Sequence, residues 1–431
     1  MGMSMGKRVK RHILSRTYRF LGVVQPAFRE TAKREMEEEG FSVTGEVEGG
    51  VEFEGGLEEG WRGNLVLRTI SRVYCRIDSF RAGAREELYR KAKGIPWELW
   101  IDPTVPIRVE ASAYRSRIHH EGVMRETLLE AIQDRWKETG YACLNLTAKN
   151  QGVKGEEGEE TEEDQGEVDT QNVLVYSEGN RCTISLDMSG EGLYRRGYRA
   201  LPGEAPIRED IAAALLWEVG WKGEGILCDP MTGSGTFSIE AVLMGLPPAG
   251  NRTYRFQTWP SFLEPRWNFI KKQALTKTRL GISLASMVPT PLCFASDWEE
   301  EALETAKINS RTAGVEDYIL FEEKDFFSLD GEYMESRIRT ARMDAGIRVD
   351  PGIKDKRFLV LNPPYGKRLP VEQGYYLRLW EHIRKGFPQW AVLLLLPVSM
   401  DVSALVGSRV HRRIVFRHGG LRIQALFFEN N

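Results

Sequence analysis

Residues 225–241 read GILCDPMTGSGTFSIEA. An apolar run that ends at Asp229 is followed by a loop with two glycines and then by apolar residues at helical spacing, which predicts a buried strand, a turn and a helix. Further apolar runs at 358–361 and 391–396 are separated by helical segments. This alternation is typical of an α/β protein with a doubly wound, mostly parallel sheet, and we expect that sheet in the C-terminal half.

The loop after the first strand predicts a ligand site, because open α/β sheets bind ligands at the carboxyl ends of their strands. Gly233 and Gly235 let the backbone approach a ligand closely. The loop lacks the Gly-Lys-Ser/Thr of a P-loop and the Gly-x-Gly-x-x-Gly of a dinucleotide site, and Asp229 would repel a pyrophosphate. A cation such as S-adenosylmethionine, which carries an ammonium and a sulfonium, suits the site better. The predicted cofactor contacts are Asp229, Pro230, Met231, Thr232, Gly233, Ser234, Gly235 and Thr236.

Two more acids follow predicted strands. Asp297 stands before a predicted helix at 299–313, which suits a carboxylate that accepts both ribose hydroxyls, although an N-cap is an equal alternative. Trp298 beside it is placed to pack on the adenine face. Asp325, with Phe326 next to it, follows the third strand and is predicted to accept a hydrogen bond from the adenine amino group. A plain loop acid is the alternative for Asp325.

Asn362-Pro-Pro-Tyr365 follows another buried strand and predicts the catalytic turn. An exocyclic amine on a base is a poor nucleophile because its lone pair is delocalised into the ring. The Asn362 side-chain oxygen and the Pro363 carbonyl would accept the two amine hydrogens, localise the lone pair and aim it at the methyl group. Pro364 belongs to the same turn, and Tyr365 offers a stacking face for a base swung out of its helix. Asn362 therefore borders both the cofactor and the acceptor.

The charge of the chain is unevenly spread. Its 431 residues include 59 basic and 62 acidic ones, which gives a formal net charge of -3. The segment 150–172 holds nine acids and one base, and its composition predicts disorder or a solvated hairpin tip. Without it, 58 basic and 53 acidic residues remain, so the rest of the chain carries about +5 and is weakly favourable to a polyanion.

Several function classes are disfavoured by composition. The five cysteines lie at least 39 residues apart, and the six histidines show no ligand spacing on a helix, so we predict neither disulfides nor a metal site. The longest apolar run, 391–396, is too short to span a bilayer. The first twenty residues carry six basic side chains and no apolar stretch, unlike a secretory signal. We therefore predict a cytoplasmic protein.

The N-terminal half alternates short strands and helices. After a basic tail at 1–19, a helix at 27–39, a hairpin around Gly49-Gly50 and a strand at 72–80 predict a small α+β module over 20–81. A second such module is predicted over 82–189, with the acidic insertion between two of its strands. Its other predicted elements are a strand at 107–111, a helix at 123–139, and strands at 142–146, 173–176 and 182–186.

Five segments carry a family resemblance: Leu193–Arg199, Ala205–Asp210, Asp229–Thr236, Ser296–Asp297 and Asn362–Leu369. They resemble the THUMP-domain RNA guanine-N2 methyltransferases, most closely the RlmL type, which modifies large-subunit ribosomal RNA. The resemblance implies a Rossmann-like class I methyltransferase domain over 190–431, preceded by a ferredoxin-like module over 20–81 and a THUMP RNA-binding domain over 82–189. It also implies S-adenosylmethionine as cofactor, RNA as partner and guanine N2 in 23S ribosomal RNA as methyl acceptor.

The chain departs from the family pattern in three respects. Thr232 stands where cysteine is common, which we expect to be harmless beside the retained Gly-Ser-Gly. The acidic insertion at 150–172 falls inside the predicted THUMP region and is expected to affect which RNA is accepted. The second methyltransferase domain that is fused to some relatives is absent, so we expect no dual activity. Candidate RNA contacts are Lys367, Arg368, Arg196 and Arg199.

Three alternative functions stay open on sequence grounds. Related THUMP enzymes methylate guanine N2 in tRNA, and DNA adenine-N6 methyltransferases use the same Asn-Pro-Pro-Tyr. The THUMP-like N-terminal half favours RNA over DNA. A protein of another class, an RNA-binding or ribosome-assembly factor with an inactive methylase fold, is disfavoured by the intact Asp229, Gly233, Gly235 and Asn362.

Overall fold

Two compact units make up the chain. The first is Met1–Leu193 with Gly250–Lys271, and the second is Tyr194–Ala249 with Lys272–Asn431. No helix of the described part is both long and apolar enough to cross a membrane. The computed structural model describes residues 4–141, 170–199, 206–246, 252–276, 292–346, 356–364, 374–400 and 410–429.

The first unit is built on one seven-stranded sheet in the order β2-β3-β1-β4-β7-β6-β5. The β5 and β6 strands pair in parallel, and the other neighbours pair antiparallel. The strands are β1 (Tyr18–Val23), β2 (Ser42–Val47), β3 (Gly50–Gly55), β4 (Arg72–Arg81), β5 (Ile107–Tyr114), β6 (Gln171–Glu178) and β7 (Arg181–Asp187). The helices are α1 (Met5–Val9), α2 (Arg29–Glu38), α3 (Leu57–Val66), α4 (Arg85–Lys93) and α5 (Glu121–Glu138).

The long strand β4 joins the two predicted α+β modules into this single sheet. Its residues 72–76 pair with β1, and its residues 74–81 pair with β7. The predicted hairpin, the two predicted helices and the strands at 72–80, 107–111, 173–176 and 182–186 are confirmed. The predicted strand at 142–146 and the bulk of the acidic insertion lie outside the described residues.

The predicted basic tail is wrong for most of its length. Helix α1 continues as a π-helical segment, Lys10–Leu14, so residues 5–14 are helical. Val9 and Ile13 are four residues apart and therefore lie on the same face, where both are buried. Arg8 on this segment also forms an ion pair with Glu98. Burial of the apolar pair on one face orders a segment whose charge alone predicts a tail.

The compact units divide the chain differently from the predicted domain boundary at 190, which stays a prediction. Residues 250–271 belong to the first compact unit, although the sequence places them inside the methyltransferase domain. The Phe256 ring stacks on Trp61 with centroids 5.6 Å apart. The Trp259 indole N–H donates to the Gln171 side-chain oxygen at 2.7 Å. Aromatic packing therefore decides where this segment belongs, and α8 (Glu264–Thr276) begins within it.

The second unit confirms the predicted doubly wound, mostly parallel α/β sheet. Its strand order is β10-β9-β8-β11-β12-β14-β13, with parallel pairs from β10 to β12 and antiparallel pairs beyond. The strands are β8 (Ile226–Asp229), β9 (Cys293–Asp297), β10 (Ile319–Glu323), β11 (Arg357–Leu361), β12 (Ala391–Pro397), β13 (Arg412–His418) and β14 (Leu421–Glu429). The helices are α6 (Glu209–Val219), α7 (Thr236–Gly245), α9 (Glu300–Thr312), α10 (Gly331–Asp344) and α11 (Tyr375–Gly386).

The strand order of this sheet reverses between β8 and β11. The chain runs outward from β8 through β9 to β10 and then returns to place β11 on the other side of β8. Open α/β sheets bind ligands at such a switch point, outside the carboxyl ends of the strands. The central strands β8, β9, β11 and β12 are buried along most of their length, so the residues at and just after their carboxyl ends are the ones available for chemistry.

Candidate active site

The carboxyl ends of β8, β9 and β11 lie side by side at the switch point. Asp229 ends β8, Asp297 ends β9 and Asn362 directly follows β11. All three are residues that the sequence analysis singled out, and the parallel register brings them to one edge of the sheet. The structure therefore assembles the predicted cofactor residues and the predicted catalytic asparagine in one unit.

The glycine loop is fixed to the end of β9. The Gly233 N–H donates to the Asp297 carboxylate at 2.9 Å, and the Thr232 N–H donates to the Ser296 carbonyl at 3.0 Å. Gly235 has a φ of 84°, and a Cβ there would lie 3.1 Å from the Cβ of Ala306. Gly233 has a φ of 52°, yet a Cβ there would meet nothing within 4 Å. Gly235 thus serves packing, whereas Gly233 borders open space.

Asp229 is a buried acid with one unused oxygen. Its Oδ2 accepts hydrogen bonds from the Thr232 hydroxyl at 3.0 Å and the Ser238 hydroxyl at 2.8 Å. Its Oδ1 is buried and has no hydrogen-bond partner in the part of the chain that the structure describes. Burial raises the pKa of Asp229 to about 6, although both hydroxyls oppose the shift. A cation at Oδ1 would stabilise the ionised form.

Asp297 is 9% exposed and holds two backbone N–H groups, those of Gly233 on Oδ2 and Glu299 on Oδ1. Burial raises its pKa, and these backbone donors oppose the increase. Each carboxylate oxygen has a second lone pair, so the group retains acceptor capacity for two hydroxyls. The neighbouring Trp298 is 70% exposed, which leaves its ring free to stack on a flat ligand.

Asn362 presents an unsatisfied acceptor. Its Oδ1 is buried and makes no hydrogen bond to any described residue. The next residue, Pro363, is buried, and the carbonyl of Pro364 accepts a hydrogen bond from the Tyr376 hydroxyl at 2.9 Å. Because buried polar atoms are normally hydrogen-bonded, a donor on a bound ligand would satisfy this oxygen of Asn362. The predicted Tyr365, Lys367 and Arg368 lie outside the described residues.

Asp325 and Phe326 have different surroundings. Asp325 is exposed, and its side chain accepts the Phe327 N–H at 3.0 Å, which caps the short turn Phe326–Ser328. The side chain of Phe326 is 2% exposed and stacks on Phe387 in the hydrophobic core. Its ring is therefore unavailable to a cofactor, and any contact would come from its backbone. For Asp325 the adenine contact stays a prediction.

Two of the arginines that were predicted to contact RNA, Arg196 and Arg199, are paired with carboxylates of the protein. Arg196 lies 3.5 Å from the fully buried Glu240, and Arg199 donates to Glu209 at 3.0 and 3.1 Å. Arg199 also reaches the Thr236 hydroxyl at 3.4 Å. Buried carboxylates need such partners, so these arginines serve the fold beside the glycine loop. Contact of either arginine with RNA stays a prediction.

Sequence reasoning missed the start of α11. The Tyr375 ring packs edge-on against Phe327 and Tyr376, with centroids 5.8 and 5.2 Å apart. Burial raises the pKa of Tyr375 to about 12. Asp325 and Asp297 add to this increase, so the phenol lies within electrostatic range of both acids. The two adjacent tyrosines in the sequence, Tyr375 and Tyr376, were the available signal.

The site fits S-adenosylmethionine by its own geometry. The unpartnered Oδ1 of Asp229 suits the ammonium of the methionine end, and the space at Gly233 admits a ligand against the loop backbone. Asp297 has the remaining lone pairs for the ribose hydroxyls. No group of three or more His, Cys, Asp or Glu side chains that could hold a metal ion occurs among the described residues.

Two family models match the chain. The model of the RMKL-like methyltransferase domain matches residues 196–413, which is just over half of the chain. The model of the RlmL ferredoxin-like domain matches residues 25–74. The first match contains the glycine loop, Asp297 and Asn362, and the second contains α2 and the hairpin of β2 and β3.

Two relatives illustrate how far the similarity extends. The ribosomal RNA large subunit methyltransferase K/L of Psychromonas ingrahamii is 28% identical over 391 residues, which are 89% of this chain and 46% of that protein. A Synechocystis sp. protein, slr0064, whose name as an RNA methyltransferase is itself provisional, is 25% identical over 416 residues, 95% of this chain and 96% of that protein. The chain spans about half the length of the K/L relatives.

Solved structures share the fold over almost the whole chain. A Clostridium difficile 630 protein described as a possible methylase has a TM-score of 0.73 at 24% identity, covering 96% of this chain and 98% of that one. The protein SMU.472, complexed with S-adenosylhomocysteine, has a TM-score of 0.71 at 22% identity, with the same two coverages. The methyltransferase-domain match and the geometry of the site support S-adenosylmethionine as the cofactor. The chain belongs to the RMKL-like methyltransferase-domain family.

Proposed function

We propose that the chain is an RNA methyltransferase that transfers the methyl group of S-adenosylmethionine to the exocyclic N2 amine of a guanine in 23S ribosomal RNA. The observation that carries the proposal is the buried, unpartnered Oδ1 of Asn362 at the same sheet edge as Asp229 and Asp297. The name of the Psychromonas ingrahamii relative supports large-subunit ribosomal RNA as the substrate. The choice of guanine N2 follows from the family resemblance of the motifs.

The residues around Asn362 would act on the amine rather than on the donor. When bound, S-adenosylmethionine supplies a methyl group already activated by a sulfonium leaving group. Asn362 Oδ1 would accept one amine hydrogen and the Pro363 carbonyl the other, which turns the nitrogen lone pair out of the ring plane. The Tyr376 hydroxyl holds the next carbonyl, that of Pro364, so the turn is fixed before the base arrives. No strong base is needed, because the amine nitrogen carries a positive charge after it has received the methyl group. In that form it is acidic and loses one proton to water.

The substrate proposal is tested in three separate reactions of the purified chain with methyl-labelled S-adenosylmethionine. The first contains large-subunit ribosomal RNA, the second tRNA and the third duplex DNA. Nucleosides from each digest are then separated and identified by mass spectrometry. We expect label in N2-methylguanosine from ribosomal RNA. Label in tRNA alone would show that tRNA, not ribosomal RNA, is the substrate. N6-methyladenine in DNA would show that the enzyme methylates adenine instead of guanine. Cofactor binding without transfer to any acceptor would favour an RNA-binding protein with an inactive methylase fold.

Cofactor affinity is expected to depend on pH through Asp229. Because burial raises the pKa of Asp229 to about 6, below that pH a proton must leave before the ammonium can bind. Affinity should therefore rise about tenfold per pH unit up to about pH 6 and then level off. Isothermal titration calorimetry at several pH values measures this. Asp229→Asn is the matched control, since it should bind the cofactor more weakly and with an affinity that does not change with pH in this range. A wild-type affinity that does not change with pH would show that Asp229 does not contact the ammonium.

A further inference from the structure

A cavity of about 360 Å³ lies in the first unit, lined by side chains from the N-terminal helical segment, β4, α5 and residues 94–100. Three of its lining residues are arginines, Arg8, Arg16 and Arg135. Apolar groups, among them Pro96 and Leu99, line other parts of it. The two family models match residues 25–74 and 196–413, so all of the lining residues fall outside both matches.

Two of the arginines are held in place by a buried acid. The Glu98 side chain is fully buried, and it accepts hydrogen bonds from Arg135 at 2.9 and 3.1 Å as well as from Arg8. A buried carboxylate that is paired with two guanidinium groups fixes their positions. The arginine side chains then lose less conformational entropy when a ligand binds. Arg16 differs from them, because it is exposed and its guanidinium forms no hydrogen bond or ion pair with a described residue; only its backbone N–H donates, to the Ile13 carbonyl at 3.2 Å.

The charges and the shape of the cavity select the ligand. The lining contains three arginines and one acid, Asp78, and the buried Glu98 lies next to the lining and pairs with two of the arginines. The formal charge of these five side chains is therefore +1. Guanidinium groups match the geometry of phosphate oxygens, and the apolar lining suits a sugar or a base. The volume is near the lower end of about 300 to 1,000 Å³ for ligand pockets, which admits a single nucleotide but not a helical stem.

We propose that this cavity binds one nucleotide of a single-stranded RNA segment, with its phosphate on Arg16 and its sugar or base against the apolar lining. The choice of RNA as the source of the phosphate rests on the proposed function. The binding chemistry itself rests only on the cavity, its three arginines and the buried Glu98 that fixes two of them. The site would bind a nucleotide away from the methylated base. It would therefore affect the affinity for RNA and not the rate of methyl transfer.

The test measures binding of a fluorescein-labelled twelve-nucleotide oligouridylate to the full chain by fluorescence anisotropy at several salt concentrations. Arg16→Ala is expected to raise Kd about 5- to 10-fold and to reduce the slope of log Kd against log salt by about 0.7, the value for one lost contact to a single strand. Arg11→Ala is the matched control. Arg11 is also exposed and lies in the helical segment that precedes Arg16, but it does not line the cavity, so a change below about twofold is expected.

The outcomes separate this inference from the proposed function. Equal Kd values for the two variants would overturn the cavity assignment, even if the wild-type chain methylates ribosomal RNA. A selective loss in Arg16→Ala would support the cavity, even if no methyl transfer is found. Binding of free adenosine monophosphate that depends on Arg16, with oligonucleotide binding unchanged, would make the cavity a mononucleotide site and would overturn the RNA assignment.

Discussion

Alanine in place of Asn362 is expected to lower kcat by about 10²- to 10³-fold while the Kd for S-adenosylmethionine changes only a few-fold. The expected size is that found when one preorganised hydrogen-bonding group is removed from an active site. Asn362 Oδ1 is buried without a partner in the described part of the chain, so its removal breaks no internal hydrogen bond seen there. The loss should therefore fall on the reacting amine rather than on the fold or the cofactor site.

The measurement for Asn362→Ala is single-turnover transfer of labelled methyl to ribosomal RNA, with cofactor binding followed in parallel by calorimetry. The two readouts are needed because Asn362 follows β11 at the edge where the cofactor also binds. A kcat within about threefold of the wild type would remove Asn362 from the chemistry. Loss of cofactor binding together with kcat would instead assign it to the cofactor site.

Asn in place of Asp297 is expected to raise the Kd for S-adenosylmethionine about 10- to 100-fold. A hydrogen bond to a charged group contributes about 1.5 to 3 kcal/mol, and the amide presents only one oxygen where the carboxylate has two. The Asp297 carboxylate already accepts the N–H groups of Gly233 and Glu299, so the change also weakens the attachment of the glycine loop. Both effects raise the Kd for S-adenosylmethionine.

Asp330→Asn is the matched control for Asp297→Asn. Asp330 also accepts a backbone N–H, that of Tyr333 at 2.8 Å, but it caps α10 instead of ending β9. The two variants make the same change of charge, and we expect the control to bind the cofactor within about twofold of the wild type. An equal Kd for the two variants in calorimetry would contradict the ribose contact. Thermal unfolding of both checks that neither change has destabilised the fold.

The candidate site shows what local sequence can predict. Asp229, Asp297 and Asn362 each follow a buried apolar run, and parallel strands end at one edge, so their common location was predictable from periodicity and glycine chemistry. Their roles toward cofactor and base stay predictions. The unpartnered oxygens of Asp229 and Asn362 were not predictable, because they depend on which side chains fold around them.

Two features of the charged residues were not predictable, and they share a physical cause. Arg196 and Arg199 look like basic residues free for RNA, yet Glu240 and Glu209 hold them. Residues 5–14 look like a charged tail, yet two buried apolar side chains order them. In each case the deciding partner is a side chain that the local pattern of charges does not reveal. Composition counts charges, whereas burial decides which of them are available.

The sequence by itself determined the alternation of strands and helices, the glycine turn and the polar residues at the strand ends. These features depend on side-chain periods of 2 and 3.6 residues and on backbone conformations that glycine favours, which are local properties. Only the tertiary structure decided that β4 serves both N-terminal modules, that residues 250–271 belong to the first unit and that three arginines meet in one cavity. Those outcomes depend on contacts between residues far apart in the chain, where packing and burial, not local preference, select the partner.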